Sequence, residues 1–230
     1  MNIKSKMVLR IAHRGASDYA PENTLEAFRK AVELKLDVVE FDVHHTKDGK
    51  LIVMHDHNVR RTTEGLGSIH ELSLKELRKF HEPNGEAVPT LQEVINILKN
   101  KCICKIDIKD SKITEKVLKM IKKNHIENSV IITSELTSVL KKTKNLFPEI
   151  KIELGGFQEK RPVKEMIKEV KDIKAEIISP HYSIITKKLV DESHKNGLEV
   201  HVWTVDDPKL MKKMIKLGVD GITSNYADKI

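Results

Sequence analysis

The stretch DVVEFDVHHTKDGKLIVMH, residues Asp37–His55, decides how the chain folds. Its first half is a strand pattern, with Val39, Phe41 and Val43 on one face and Glu40, Asp42 and His44 on the other. Asp48-Gly49 separates it from a second strand pattern, LIVMH, and Asp-Gly between two such runs is a strong hairpin signal. With Asp48 and Gly49 as the two turn residues, Thr46 faces Leu51, His44 faces Val53 and Asp42 faces His55. Facing residues share one side of the ribbon, with Cα atoms about 4.5–5.5 Å apart, so the hairpin is expected to return His55 to Asp42.

The hairpin matters because of the strand count. Strand-like runs at Met7–Ala12, Asp37–Val43, Cys102–Ile108, Ser129–Thr133, Ile150–Leu154, Glu176–Ser179, Leu198–Trp203 and Val219–Thr223 alternate with helical patterns. The helical patterns lie at Asn23–Leu36, Thr90–Asn100, Lys112–Asn124, Leu136–Asn145, Val163–Asp172, Lys187–Asn196 and Pro208–Leu217. Eight strands alternating with helices predict an α/β fold, the (β/α)8 or TIM barrel, over a doubly wound open sheet. LIVMH would make a ninth strand. Residues 46–87 are therefore read as a small insertion between strand two and its helix, within a single domain spanning residues 1–230.

Bulk composition agrees with a charged globular chain. Hydrophobic residues make up 39% and charged residues 33%, and 41 Lys and Arg against 34 Asp and Glu give a net charge of +7. The lysines are spread over many helices, and aromatics are only 4%, so no basic stripe interleaved with aromatics marks a nucleic-acid surface. No apolar run reaches the length of a membrane span, and the start MNIKSKMVLRIAH is not read as a signal peptide. The two cysteines, Cys102 and Cys104, point to one face of a strand and are read as small core residues in a reducing compartment, hence a cytoplasmic location.

In a barrel, the apolar face of strand two meets the helices. Glu40 and Asp42 then point inward near the strand's C-terminal end, where barrel sites lie. Strand three, CKIDIKD, presents Asp107 on the same side as Lys105 and Lys109, opposite Cys104, Ile106 and Ile108. Three inward carboxylates repel one another unless something positive lies between them, and an oxygen-only donor set suits a hard divalent cation. Lys109 offers a point charge to an anionic oxygen, and Arg14 a planar fork suited to phosphate. His13 ends strand one beside strand two, and with His55 it forms a candidate acid–base pair flanking the acids. Gly15 permits a sharp turn or close approach to a ligand. In PENTLEAF, Asn23 is read as a helix N-cap with Glu26 three residues later, leaving Glu22 to reach the site. Trp203, near the end of LEVHVWTV, is read as a pocket wall or a core residue.

AHRGASDYAPENTLEAF, DVVEFDVHHTKDGKLIVMHD, RTTEGLG and LEVHVWTV together resemble the glycerophosphodiester phosphodiesterase family across nearly the whole chain. The resemblance implies a metal-dependent barrel that cleaves glycerophosphodiesters, small-molecule substrates, to sn-glycerol 3-phosphate and an alcohol. It implies His13 and His55 as the acid–base pair, with Glu40, Asp42 and a third acid at Asp107 holding Mg2+ or Ca2+ (Mn2+ as a third candidate). Arg14 and Lys109 would hold the phosphate and Trp203 would wall the substrate pocket. Asp107 stands where the family usually carries Glu, and Asn225 and Ala227 stand where Asp and Pro are common. Two other readings remain beside it. One is a lysophospholipase D on the same scaffold, with Leu66, Ile69, Leu72 and Leu74 of the insertion as an apolar lip. The other is a phosphate-ligand binding barrel without catalysis. Neither a nucleic-acid partner nor stable membrane insertion is expected.

Overall fold

The computed structural model describes residues 7–230. The segment MNIKSK, on which the reading of the N-terminus partly rested, lies outside the described residues. Nine strands form one sheet: β1 (Leu9–Ala12), β2 (Val38–His45), β3 (Leu51–Val53), β4 (Ile103–Ile108), β5 (Val130–Ser134), β6 (Lys151–Phe157), β7 (Ile177–Pro180), β8 (Glu199–Val202) and β9 (Gly221–Ser224). Eight of them are parallel and close into a barrel, because β1 pairs with both β2 and β9. β3 alone is antiparallel and hangs on β2 outside the barrel. The helices are α1 (Leu25–Glu33), α2 (Leu74–Leu77), α3 (Leu91–Leu98), α4 (Thr114–Asn124), α5 (Thr137–Leu146), α6 (Val163–Asp172), α7 (Lys187–Lys195) and α8 (Pro208–Leu217). The expected alternation holds, with strand boundaries displaced by at most three residues.

The strand faces divide by chemistry. Val39, Phe41, Val43, Cys104, Ile106, Ile108, Ile132 and Ile152 are buried in one core beneath the helices. Phe41 meets Phe28 of α1 edge to face at 5.6 Å between ring centroids. The opposite faces carry Glu40, Asp42, Lys105, Thr133, Glu153 and His201 into the barrel, all buried. Both cysteines are free thiols.

The hairpin differs from its expected register by one residue. His44 pairs with Ile52 and Val43 with Val53, and the Met54 N–H donates to the Asp42 carbonyl. The turn holds three residues, Lys47, Asp48 and Gly49, closed by a Thr46 N–H to Lys50 carbonyl bond. Gly49 takes a left-handed φ of 70°, as three-residue hairpin loops favour, and the Thr46 hydroxyl accepts from the Lys50 N–H. Asp42 therefore opposes Met54, and His55 lies one residue past the pair.

β3 and the residues beyond it build a second small core from Ile52, Met54, Val59, Ile69, Leu77 and Val88, with Leu72, Leu74 and Phe80 packed against it. Three of the four residues expected to form an apolar lip are consumed there; only Leu66 stands out, at 70% exposure. An amphipathic pattern in sequence does not distinguish a lip from a satellite core.

Candidate active site

The site begins at the end of β1. Arg14 and Gly15 both adopt left-handed backbone, with φ of 57° and 83°. That turn aims the Arg14 N–H at Glu40 Oε2, 3.0 Å away, and the Gly15 N–H at the Glu40 carbonyl. A Cβ on Gly15 would meet Ala27 Cβ at 2.8 Å, so α1 can pack this close only on glycine. A cavity of about 220 Å³ opens beside the turn, at the C-terminal ends of the strands. His13, Arg14, Glu40, Asp42, His55, Asp107, Lys109 and Trp203 all line it, whereas Glu22, expected to reach the site, does not line the cavity and pairs with Arg14 behind it.

Asp42 and Asp107 are register partners on β2 and β4, and Glu40 sits two residues below Asp42. One oxygen from each of the three acids lies within 4.8 Å of the others. Burial, then the charges of Asp42 and Asp107, push the Glu40 carboxyl up to about 8. Burial and Asp42 likewise raise Asp107, to about 6. Burial would raise Asp42 too, but Lys109, Arg14 and His55 outweigh it and hold it at about 2. Lys109 Nζ bridges Asp42 at 2.9 Å and Asp107 at 2.6 Å, and the Arg14 guanidinium approaches Asp42 at 3.6 Å. Once a bound cation has driven the proton off Glu40, two fixed cations against three ionised acids leave one negative charge. That deficit and the all-oxygen donor set fit a divalent cation joined by a phosphodiester monoanion.

The two histidines have different partners. Asn225 donates its Nδ2–H to Asp206 Oδ2 at 2.7 Å, so its Oδ1 is an acceptor. His13 Nδ1 lies 2.8 Å from that Oδ1 and therefore carries the proton, leaving the Nε2 lone pair free for the cavity. Burial and then the Arg14 charge lower the His13 pKa below 6.5, so the ring is neutral near pH 7. His55 Nδ1 instead faces the Asp56 carboxylate at 2.6 Å. Hydrogen bonds from Arg61 hold Asp56 well below the usual carboxylate range. Arg61 also grips Glu22, which binds Arg14 Nη1 at 2.8 Å. An ion-pair chain thus links the loop of His55 to the turn of Arg14.

Several members of the site escaped the sequence reading. Asn23 does not cap α1; Thr24 does, accepting from the Ala27 N–H. Asn23, at φ 59° and buried, donates its amide to Asp42 Oδ2 at 3.1 Å. Glu153 of β6 lies beneath the cavity, paired with Lys105 of β4 and accepting from Thr133, with His201 of β8 at 2.7 Å. Burial opposes the Glu153 charge, yet Lys105 and His201 hold its carboxyl at about 2. These strands are far apart in sequence and only the strand order of the sheet sets them near one another, so no local pattern signals them. Asp56 and Arg61 were visible as neighbours of His55, but their pairing was not. The Trp203 indole donates to the Ser179 carbonyl at 2.9 Å and stands edge-on to His181, which fixes it as one wall.

This constellation has known relatives. Residues 13–229 match the glycerophosphoryl diester phosphodiesterase family. A glycerophosphodiester phosphodiesterase of Caldanaerobacter subterraneus subsp. tengcongensis is 39% identical, covering 94% of this chain and 93% of that protein. One from Bacillus subtilis is 30% identical, covering 96% and 84%. An Oleispira antarctica phosphodiesterase, solved in complex with the product sn-glycerol-3-phosphate, superposes with a TM-score of 0.85 at 26% identity, covering 96% of this chain and 94% of that one. With its HRG turn, acid cluster and hairpin in place along nearly its whole length, the chain belongs to the glycerophosphoryl diester phosphodiesterase family.

Proposed function

We propose that this chain hydrolyses small glycerophosphodiesters to sn-glycerol 3-phosphate and an alcohol, with His13 and His55 as the proton-transfer pair. One observation carries the reading: two imidazoles with unlike partners face a single cavity that also holds three acids, Arg14 and Lys109. The product named for the Oleispira relative fits the same chemistry.

The partners of the two rings set their roles. His13, neutral and with Nε2 free, takes the proton of a glycerol hydroxyl as that oxygen bonds to phosphorus. His55, backed by the Asp56 anion, gives a proton to the departing alcohol oxygen as its bond to phosphorus breaks. The cyclic phosphate left on the glycerol is opened by water, with the two rings exchanging roles. Arg14 and Lys109 bind the non-bridging phosphate oxygens. A divalent cation held by Glu40, Asp42 and Asp107 would supply Lewis-acid polarisation and orient the glycerol oxygens. The oxygen donors suit Mg2+ or Ca2+, with Mn2+ as a third candidate.

We treat residues 46–87 as an inserted subdomain of one catalytic domain, and the free thiols Cys102 and Cys104 favour a cytoplasmic setting. No helix among the described residues is long and apolar enough to cross a membrane. The lysophospholipase D reading loses its structural support, because Ile69, Leu72 and Leu74 pack inside the insertion. Choline release from glycerophosphocholine and from lysophosphatidylcholine, measured in parallel, tests the substrate class. Release from glycerophosphocholine is expected; release from the lysolipid alone would overturn it.

A further inference from the structure

Behind His55 lies a second group of titratable side chains that the reaction does not use. His44 is the penultimate residue of β2, His57 follows β3, and His70 sits in the helical turn Ile69–Glu71 of the insertion. Their ring centroids are 4.7 Å (His44–His57), 5.6 Å (His57–His70) and 5.9 Å (His44–His70) apart. One nitrogen from each lies within 4.8 Å of the others.

Backbone carbonyls fix the tautomers. His44 Nε2 is 3.0 Å from the His55 carbonyl, which can only accept, so Nε2 bears the proton and Nδ1 the lone pair. That Nδ1 is buried in a fully buried residue and has no hydrogen-bond partner among the described residues. A buried acceptor left without a hydrogen bond forfeits the solvation it had in water, so it calls for a partner. His70 Nδ1 is 3.0 Å from the His45 carbonyl, which leaves its Nε2 lone pair facing His57 Nδ1 at 3.4 Å. Histidines that bind metal commonly give their other ring N–H to a backbone carbonyl, and two of these three do so.

We propose that His44, His57 and His70 form a second metal site, for a zinc-type transition-metal dication, that clamps the insertion onto the end of β2. At zinc–nitrogen distances of about 2.0–2.1 Å, tetrahedral ligand nitrogens stand about 3.3 Å apart. The His57–His70 separation of 3.4 Å already meets that spacing. His57 is exposed and His70 half-buried, so both rings can adjust toward the fixed His44 nitrogen. Three imidazoles with an open fourth position suit zinc, nickel or copper, whereas the carboxylates of the catalytic cavity suit harder ions. The ion would also hold the backbone at His55, because its ligand His44 bonds the His55 carbonyl.

Zinc titration calorimetry on tag-free protein in excess Mg2+ tests the proposal, comparing wild type with His57→Gln, His70→Gln and Asp107→Asn. Wild type is expected to take up one Zn2+ more than either histidine variant, and Asp107→Asn to keep that extra site. Loss of an outer-shell partner alone weakens metal binding about 10–100-fold, so loss of a ligand is expected to weaken this site by at least about 100-fold. Circular dichroism checks that the variants fold, which the exposure of His57 favours. Equal zinc stoichiometry and affinity in wild type and both histidine variants would overturn the site, as would its loss in Asp107→Asn alone.

Discussion

Glu40→Gln is expected to stabilise the cation-free protein while destroying its response to cations. Glu40 accepts the Arg14 N–H through Oε2, and a glutamine oxygen can do the same. The difference is charge. Two unit charges 4.8 Å apart repel by about 3 kcal/mol at an effective dielectric constant of about 20, the separation that bounds these acids. The folded carboxyl therefore keeps a proton up to about 8, against 4.5 for the free group. Below 4.5 both states hold that proton and Glu40 contributes nothing. Between 4.5 and about 8 only the folded state holds it, so stability falls as pH rises; above about 8 the penalty is constant. At pH 7 the penalty reaches about 3 kcal/mol, at about 1.4 kcal/mol per pH unit. Asp107, raised from 3.8 to about 6, adds to the slope over the lower part of this window. Asp42 has the opposite sign, but its contribution is complete above 3.8. Urea unfolding in EDTA across this range should show a falling stability for wild type and a flatter line for Glu40→Gln. Excess Mg2+ or Ca2+ should then stabilise wild type and leave the variant nearly unmoved. Parallel slopes in EDTA, or equal stabilisation of both proteins by cation, would refute the electrostatic account of the cluster.

Three further outcomes follow from other parts of the site. Glu153→Leu strands the buried Lys105 charge and should cost about 3–5 kcal/mol in urea unfolding, and Lys105→Met with Glu153→Leu should recover most of it; a double variant as unstable as the single would disprove the pairing. Arg61→Ala releases Asp56 and hence the His55 ring, so kcat should fall about 10–100-fold with little change in KM; an unchanged kcat would show that the ion-pair chain positions nothing. At saturating cation, the acid limb of kcat/KM should follow protonation of His13 and so lie below 6.5; an acid limb at or above 6.5 would remove His13 as the neutral base.

Much of this architecture was legible in the residues. The alternation of apolar and polar positions in β2 and β4 sends Val39, Phe41 and Ile106 to the helices and Glu40, Asp42 and Asp107 inward, because strand periodicity is a local property. The hairpin was legible, but its register was not. Asp-Gly serves both two-residue and three-residue loops, and the Thr46 hydroxyl and the left-handed Gly49 decide between them. His55 reaches the cavity all the same, because it lies one step past the ladder beside Asp42. Asn23 looked like a cap since Asn and Thr are both good caps; packing of α1 on Gly15 gives the cap to Thr24 and frees Asn23 for Asp42. Glu153, Lys105 and His201 come from three strands far apart in sequence, and only the strand order of the sheet makes them neighbours.

The central claim is that these residues carry out cation-dependent cleavage of a glycerophosphodiester. Release of sn-glycerol 3-phosphate from glycerophosphocholine tests it most directly, measured in EDTA, after restoring Mg2+, Ca2+ or Mn2+, and with His13→Ala. The account predicts release that EDTA abolishes, a divalent cation restores and His13→Ala eliminates. Release undiminished in EDTA or in His13→Ala, or none from folded protein with any of the three ions, would contradict it.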